Sequence, residues 1–219
     1  MNLKSSSCSV SSSSSIRLIG GPVAILVLLW GCTSKEEKSI LQPSESLAPV
    51  LAEETVNAAG GNRKVAIISA DATWGPVSPV ERTFKATLQK QGFTIIDAKS
   101  ASLGDPMRSG EVGLKASDFI EVLEKNPNVG AIVSFAGVPL LKQQDFARVP
   151  AEHPPVLAIA TAMLGTSPGV PGDRSQFPRL LDSKVVQLII IDGPDSASNV
   201  TTGNPTHQLF AQNFRILRP

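Results

Sequence analysis

Five short apolar runs, spaced along the chain with helix-forming segments between them, restrict this sequence more than any other feature. They occupy residues 64–69, 93–97, 129–135, 156–160 and 185–192. Each is rich in Val, Ile, Leu and Ala and too short for a core helix, as expected of strands buried on both faces. Between the first two, Ser78-Pro79-Val80-Glu81 combines an N-cap serine, a proline at the first helical position and a glutamate placed to close a capping box. Val80, Phe84 and Leu88 then share one helix face, and Gly92 supplies the stop. A second helix opens at Ser117, carries Phe119, Ile120, Val122 and Leu123 as its apolar stripe, and closes at Asn126-Pro127. A short helix is predicted over 139–147. A last short helix and an edge strand are predicted around Phe210, Phe214, Ile216 and Leu217. Upstream, Leu47, Val50 and Leu51 recur at helical spacing over 46–59, before Gly60-Gly61.

Strands alternating with helices imply right-handed crossovers and a parallel sheet covered on both sides. The predicted class is therefore α/β: a doubly wound, Rossmann/flavodoxin-like, mainly parallel sheet of about five strands in a three-layer sandwich, ordered 2-1-3-4-5. Ligands of such sheets favour the crevice beyond the strand carboxyl ends, where strand order reverses. Here that crevice falls between strands one and three. It would receive Asp71, Thr73 and Trp74 from one side and Ala136 and Gly137 from the other. Two long connections rise from the same edge, 98–114 with Lys99, Asp105, Arg108 and Glu111, and 161–178 with Asp173 and Arg174. Asp71, Thr73, Trp74, Gly137 and Arg108 are the candidate ligand-binding residues. Two plainer roles stand beside that one: Asp71 caps a turn, and Trp74 shields the sheet edge.

The N-terminal stretch has a different character. The apolar run 18–31 follows Arg17 and contains Gly20-Gly21-Pro22. As a helix it would cover only about 21 Å of a hydrocarbon core of about 30 Å. That length suits the central region of a signal peptide better than a membrane anchor. A transit peptide would share the serine-rich 5–15 but would contain more than Lys4 and Arg17 as bases. Leu29-Trp30-Gly31-Cys32 resembles the lipobox of bacterial lipoproteins. The resemblance implies cleavage before Cys32, acylation of Cys32 (palmitate among the acyl groups) and a home in the bacterial cell envelope, facing the periplasm or otherwise outside the cytoplasm. The domain scheme is then a signal peptide over 1–31, a tether with an N-terminal helix over 32–62, and one α/β domain over 63–219. Cys8 would leave with the signal, so the mature chain would contain no disulfide.

Composition excludes several functions. The formal charge is +1, and losing Lys4 and Arg17 leaves 18 basic against 19 acidic residues, so the chain is nearly neutral either way and lacks the basic footprint that nucleic-acid binding needs. Gly165-Thr166-Ser167-Pro168-Gly169 matches a nucleophile elbow by letter, but Pro168 has no N–H to give an oxyanion hole. His153 and His207 read as exposed loop residues without metal-ligand spacing. No glycine-rich phosphate loop follows the first strand, so no cofactor is expected. Asp71 and Asp97 could share a cation if strands one and two are neighbours. Asn199-Val200-Thr201 is a glycosylation sequon without meaning in a bacterium.

Lys64-Val65-Ala66-Ile67-Ile68-Ser69, the Asp71-Ala72-Thr73-Trp74-Gly75 loop and Phe93-Thr94-Ile95-Ile96-Asp97 resemble the opening of a type 1 periplasmic binding protein. Residues 129–134 and 155–160 continue the likeness, which covers about one lobe. The resemblance implies a small polar, sugar-like ligand held near Asp71 and Trp74. A chain of this length lacks the second lobe, so the closing-trap mechanism is not implied with it. The expected function is a membrane-anchored, non-enzymatic binding module for a small polar ligand or an envelope protein partner. Two alternatives stand beside it: a hydrolase using Asp71, Asp97 or Asp192, and a structural component assembling through the sheet edge near Phe214.

Overall fold

A computed structural model describes residues 35–104, 112–194 and 203–219 of the chain, with side chains from residue 43 onward. Its centre is a six-stranded sheet formed by β1 (Lys64–Ala70), β2 (Thr94–Ala101), β3 (Ala131–Ser134), β4 (Val156–Ala160), β5 (Leu188–Asp192) and β6 (Phe214–Leu217). The spatial order is β6-β5-β4-β3-β1-β2. All pairings are parallel except that of β6, which runs antiparallel to β5 with Phe214 opposite Asp192. The expected 2-1-3-4-5 order is thus present, with the predicted edge strand added beyond strand five.

Successive strand residues point to opposite faces, so each apolar run supplies two cores. On one face Val65, Ile67, Val133, Ile159 and Ile190 pack beneath α1 (Lys35–Ala59), α2 (Pro79–Lys90) and α6 (Pro205–Asn213). On the other, Ala66, Ile68, Ile132, Ala158 and Ile191 meet α3 (Ala116–Lys125) and α5 (Phe177–Asp182). α4 (Gln143–Phe146) is a single turn beside them. None of the described helices is long and apolar enough to cross a membrane.

Several local expectations change. α1 begins at Lys35 rather than near residue 46, and it continues through Pro43 and Pro49. Each proline removes one helical hydrogen bond. Tertiary burial outweighs that loss, because Leu47, Leu51 and Ala52 are fully enclosed against the sheet and its neighbours. Residues 35–45, read as tether, are therefore helix, and the helix expected over 46–59 belongs to the core. Only 143–146 of the helix predicted over 139–147 forms, since Pro139-Leu140 pairs instead, in parallel, with Leu114-Lys115. α5 takes the end of the 161–178 connection and the unassigned stretch after it, burying Phe177, Leu180 and Leu181. In α2 the Glu81 N–H donates to Ser78 Oγ at 3.1 Å, as a cap requires. The Glu81 carboxylate, expected to close the capping box, turns inward.

Candidate functional site

The crevice between β1 and β3 lies where the sheet order predicts it, and its residues are built up from the end of β1. There the Asp71 N–H donates to the Ala101 carbonyl at 2.9 Å, holding the loop to β2. Asp71 caps the turn Ala72–Trp74, accepting from the Thr73 N–H at 3.0 Å and from the Thr73 hydroxyl. The Thr73 hydroxyl holds the Asp71 carboxyl below the usual carboxylate range. Burial opposes this, and the Thr73 N–H, the Ser102 hydroxyl and Lys115 reinforce it. Asp71 and Thr73 therefore occupy each other. The Trp74 indole N–H donates to the Gly104 carbonyl at 3.1 Å, and its ring packs on the core edge. Both plainer roles, turn cap and edge shield, are present in the structure.

Gly137 is buried rather than presented to the crevice. Its φ is +82°, and a Cβ there would lie 3.0 Å from the Cβ of Val170. Its carbonyl accepts from Ser134 Oγ at 2.6 Å. Val170 ends a roof over the crevice in which Met163-Leu164 pairs antiparallel with Ser167-Pro168. The roof is pinned by Gly169, whose N–H donates to the Ala162 carbonyl at 2.9 Å. No side chain fits there, because a Cβ would approach the Thr161 carbonyl oxygen to 2.3 Å. What remains is a chamber of about 20 Å³ lined by Trp74, Ser78, Glu81, Phe135, Leu164 and Val170 among others. That is room for about one water molecule.

Glu81 was legible only as a capping residue, yet it is the one buried carboxylate in the chamber wall. It accepts from Ser69 Oγ at 2.6 Å and pairs with Lys85 at 2.8 Å. Lys85 also reaches Asp97 at 2.6 Å. Burial works to lower the Lys85 pKa, but the hydrogen bonds from Lys85 to Asp97 and Glu81 overcome it and hold the ammonium above its ordinary value.

The remaining candidates disperse. β1 and β2 are adjacent, but Asp97 lies opposite Ile67 and is taken by Lys85, while Asp71 follows the strand end near Ala101. The two do not form a cation site, and no cluster of three metal-ligating side chains exists among the described residues. Lys99 is held by Asp118 at 3.1 Å and Glu121 at 2.7 Å. Asp173 caps the turn Arg174–Gln176, and Asp192 accepts from the Ala162 N–H at 2.7 Å. His207 sits in α6 rather than a loop, its Nε2 3.0 Å from Glu53. Arg108, Asp105, Glu111, Asn199 and Cys32 lie outside the described residues.

No family model and no curated protein matches the chain. Among solved structures, a sugar ABC transporter from Actinomyces odontolyticus is similar over 67% of this chain and 43% of its own length, with 15% identity and a TM-score of 0.38. The chain thus spans less than half the length of that protein. The strand order and helical layers of the chain itself place it in the doubly wound α/β class.

Proposed function

We propose that the chain is a lipid-anchored binding module outside the cytoplasm, a single α/β lobe of the periplasmic-binding type. Its strand carboxyl edge docks an envelope protein partner. The anchor rests on the lipobox-like Leu29-Trp30-Gly31-Cys32. The observation that carries the docking face is the roof itself. It narrows the crevice to about 20 Å³. Around it stand Val77 and Met163, 43% and 48% exposed, the large apolar side chains most open to solvent among the described residues. A crevice this narrow, flanked by exposed apolar side chains, suits a macromolecular surface better than an enclosed solute.

A photo-crosslinker at Val77 in the full chain, expressed in its envelope, tests this reading. A discrete adduct that disappears with Met163→Glu is the expected result. Failure of Met163→Glu to change the adduct overturns it. The second reading, a small sugar-like ligand beneath a lifted roof, is favoured by the grouping of Trp74, Ser78 and Glu81 in one wall. A saccharide panel distinguishes the two. Stabilisation by a sugar reaches about 2.7 kcal/mol at one hundred times its Kd. The sugar response would vanish in Trp74→Ala.

A further inference from the structure

A second cavity, of about 510 Å³, opens between α5 and the edge strand β6, lined by Arg174, Phe177, Leu181, Ile191, Arg215 and Leu217 among others. It is distant in the sheet from the β1–β3 crevice and within the size range of small-molecule sites. Period-two alternation places Arg215 on the same face as Leu217, beside Ile191, where the neighbouring strand buries only apolar side chains. A charge at such a position on an edge strand discourages pairing with other chains, but for that purpose its head should reach water. Here the Nε of Arg215 is sealed from solvent and has no hydrogen-bond partner. Buried donors are almost always satisfied, so this orphan needs an acceptor. Arg174 stands in the same wall with one weak contact, from Nη2 to the Asp192 carbonyl at 3.3 Å. Arg218 is already taken by Glu54 at 2.8 Å, and Asp182 contributes one carboxylate.

We propose that this cavity binds a small singly charged carboxylate with an apolar body. The carboxylate would accept from the Arg174 guanidinium, whose planar donors match two carboxylate oxygens, and from Arg215 Nε once the Arg215 side chain turns to bring that donor to the cavity surface. The body would lie along Phe177, Leu181, Ile191 and Leu217. Such a site is independent of the docking face around Met163.

The test titrates the full chain with hexanoate and 3-phenylpropanoate, following the arginine Nε–H signals by nitrogen-15 NMR and affinity by calorimetry. Hexanol and 3-phenylpropanol present the same bodies without charge, and inorganic phosphate presents charge without a body. Saturable carboxylate binding is expected, at least about tenfold tighter than for the alcohols or phosphate, with one Nε–H signal shifting downfield. Arg215→Leu should abolish that shift and weaken binding by about tenfold or more, while its thermal midpoint stays at or above wild type. Arg215→Lys should bind at intermediate strength, and Met163→Glu should bind as wild type. Equal binding of acid and alcohol, undiminished carboxylate binding in a folded Arg215→Leu, or no saturable binding by either carboxylate would each overturn the proposal.

Discussion

Lys85 joins a buried carboxylate to an exposed one, so its two partners test how burial sets the worth of an ion pair. The Glu81 side chain is 4% exposed and that of Asp97 is 73% exposed. Removing the lysine leaves Glu81 charged in the chamber wall with only Ser69 to solvate it. Loss of one partner of a fully buried pair costs about 3–5 kcal/mol, and the partial exposure of Lys85 lowers that to about 2 kcal/mol for Lys85→Met. Asp97→Asn removes only a solvated partner and should cost under about 1 kcal/mol. Urea denaturation of both variants reads the contrast, and equal losses would contradict the burial assignment. A pH titration addresses a second residue. The hydrogen bonds from Lys125 at 2.5 Å and Lys99 at 2.7 Å lower the Glu121 pKa from 4.5 to about 2. A depressed folded value means that its stabilisation is present above about 4.5 and is lost as pH falls through about 2. Carbon-13 NMR of the Glu121 carboxyl should show that low midpoint, and Lys125→Ala should move it back toward 4.5.

At the scale of elements the roof over the crevice rests on few residues. It consists of two two-residue strands and a glycine that no other residue can replace without moving the Thr161 backbone. Gly169→Ala should cost about 1–3 kcal/mol through that overpacking. Hydrogen exchange should place the loss locally, with faster exchange at residues 162–169 and unchanged protection in β3 and β4. Uniformly faster exchange throughout the sheet would show that the roof is part of the core. This roof also marks where the sequence stops being readable. β4 and α2 were legible because one continuous apolar run and one complete set of cap, stripe and stop residues lie within a few positions of each other. The roof depends on Leu164 joining the core layer of Phe135, and on Val170 joining the layer against which Ala70 and Trp74 pack, groupings distant in sequence and hidden among Gly and Pro. α5 escaped for a related reason, since six residues with Pro178 give too short a period. Asp71 and Trp74 were placed on the correct edge, but their geometry as cap and shield follows from Thr73 and Gly104, which no pattern singles out. Glu81 was assigned to a cap because the motif is local, whereas its actual partner Ser69 belongs to the preceding strand.

For the whole molecule, anchoring and folding are expected to be separable. The layer beneath α1 is secured by Leu47, Val50, Leu51 and Ala52 packing with Val65, Phe84 and Phe210, all downstream of Cys32. None of these contacts needs a lipid, so the proposed acylation adds location rather than stability. Cys32→Ala should therefore leave the thermal midpoint and the NMR spectrum of the α/β unit unchanged while moving the protein from the membrane fraction to the aqueous one. Mass spectrometry completes the test: the wild-type chain should begin at Cys32 and be heavier by its acyl groups, whereas the variant should lack them. A wild-type protein that retains residues 1–31 without acyl groups and stays in the aqueous phase would remove the anchor. The sheet order, the narrow crevice and the arginine-lined cavity would stand, and the docking face would then need a partner in another compartment.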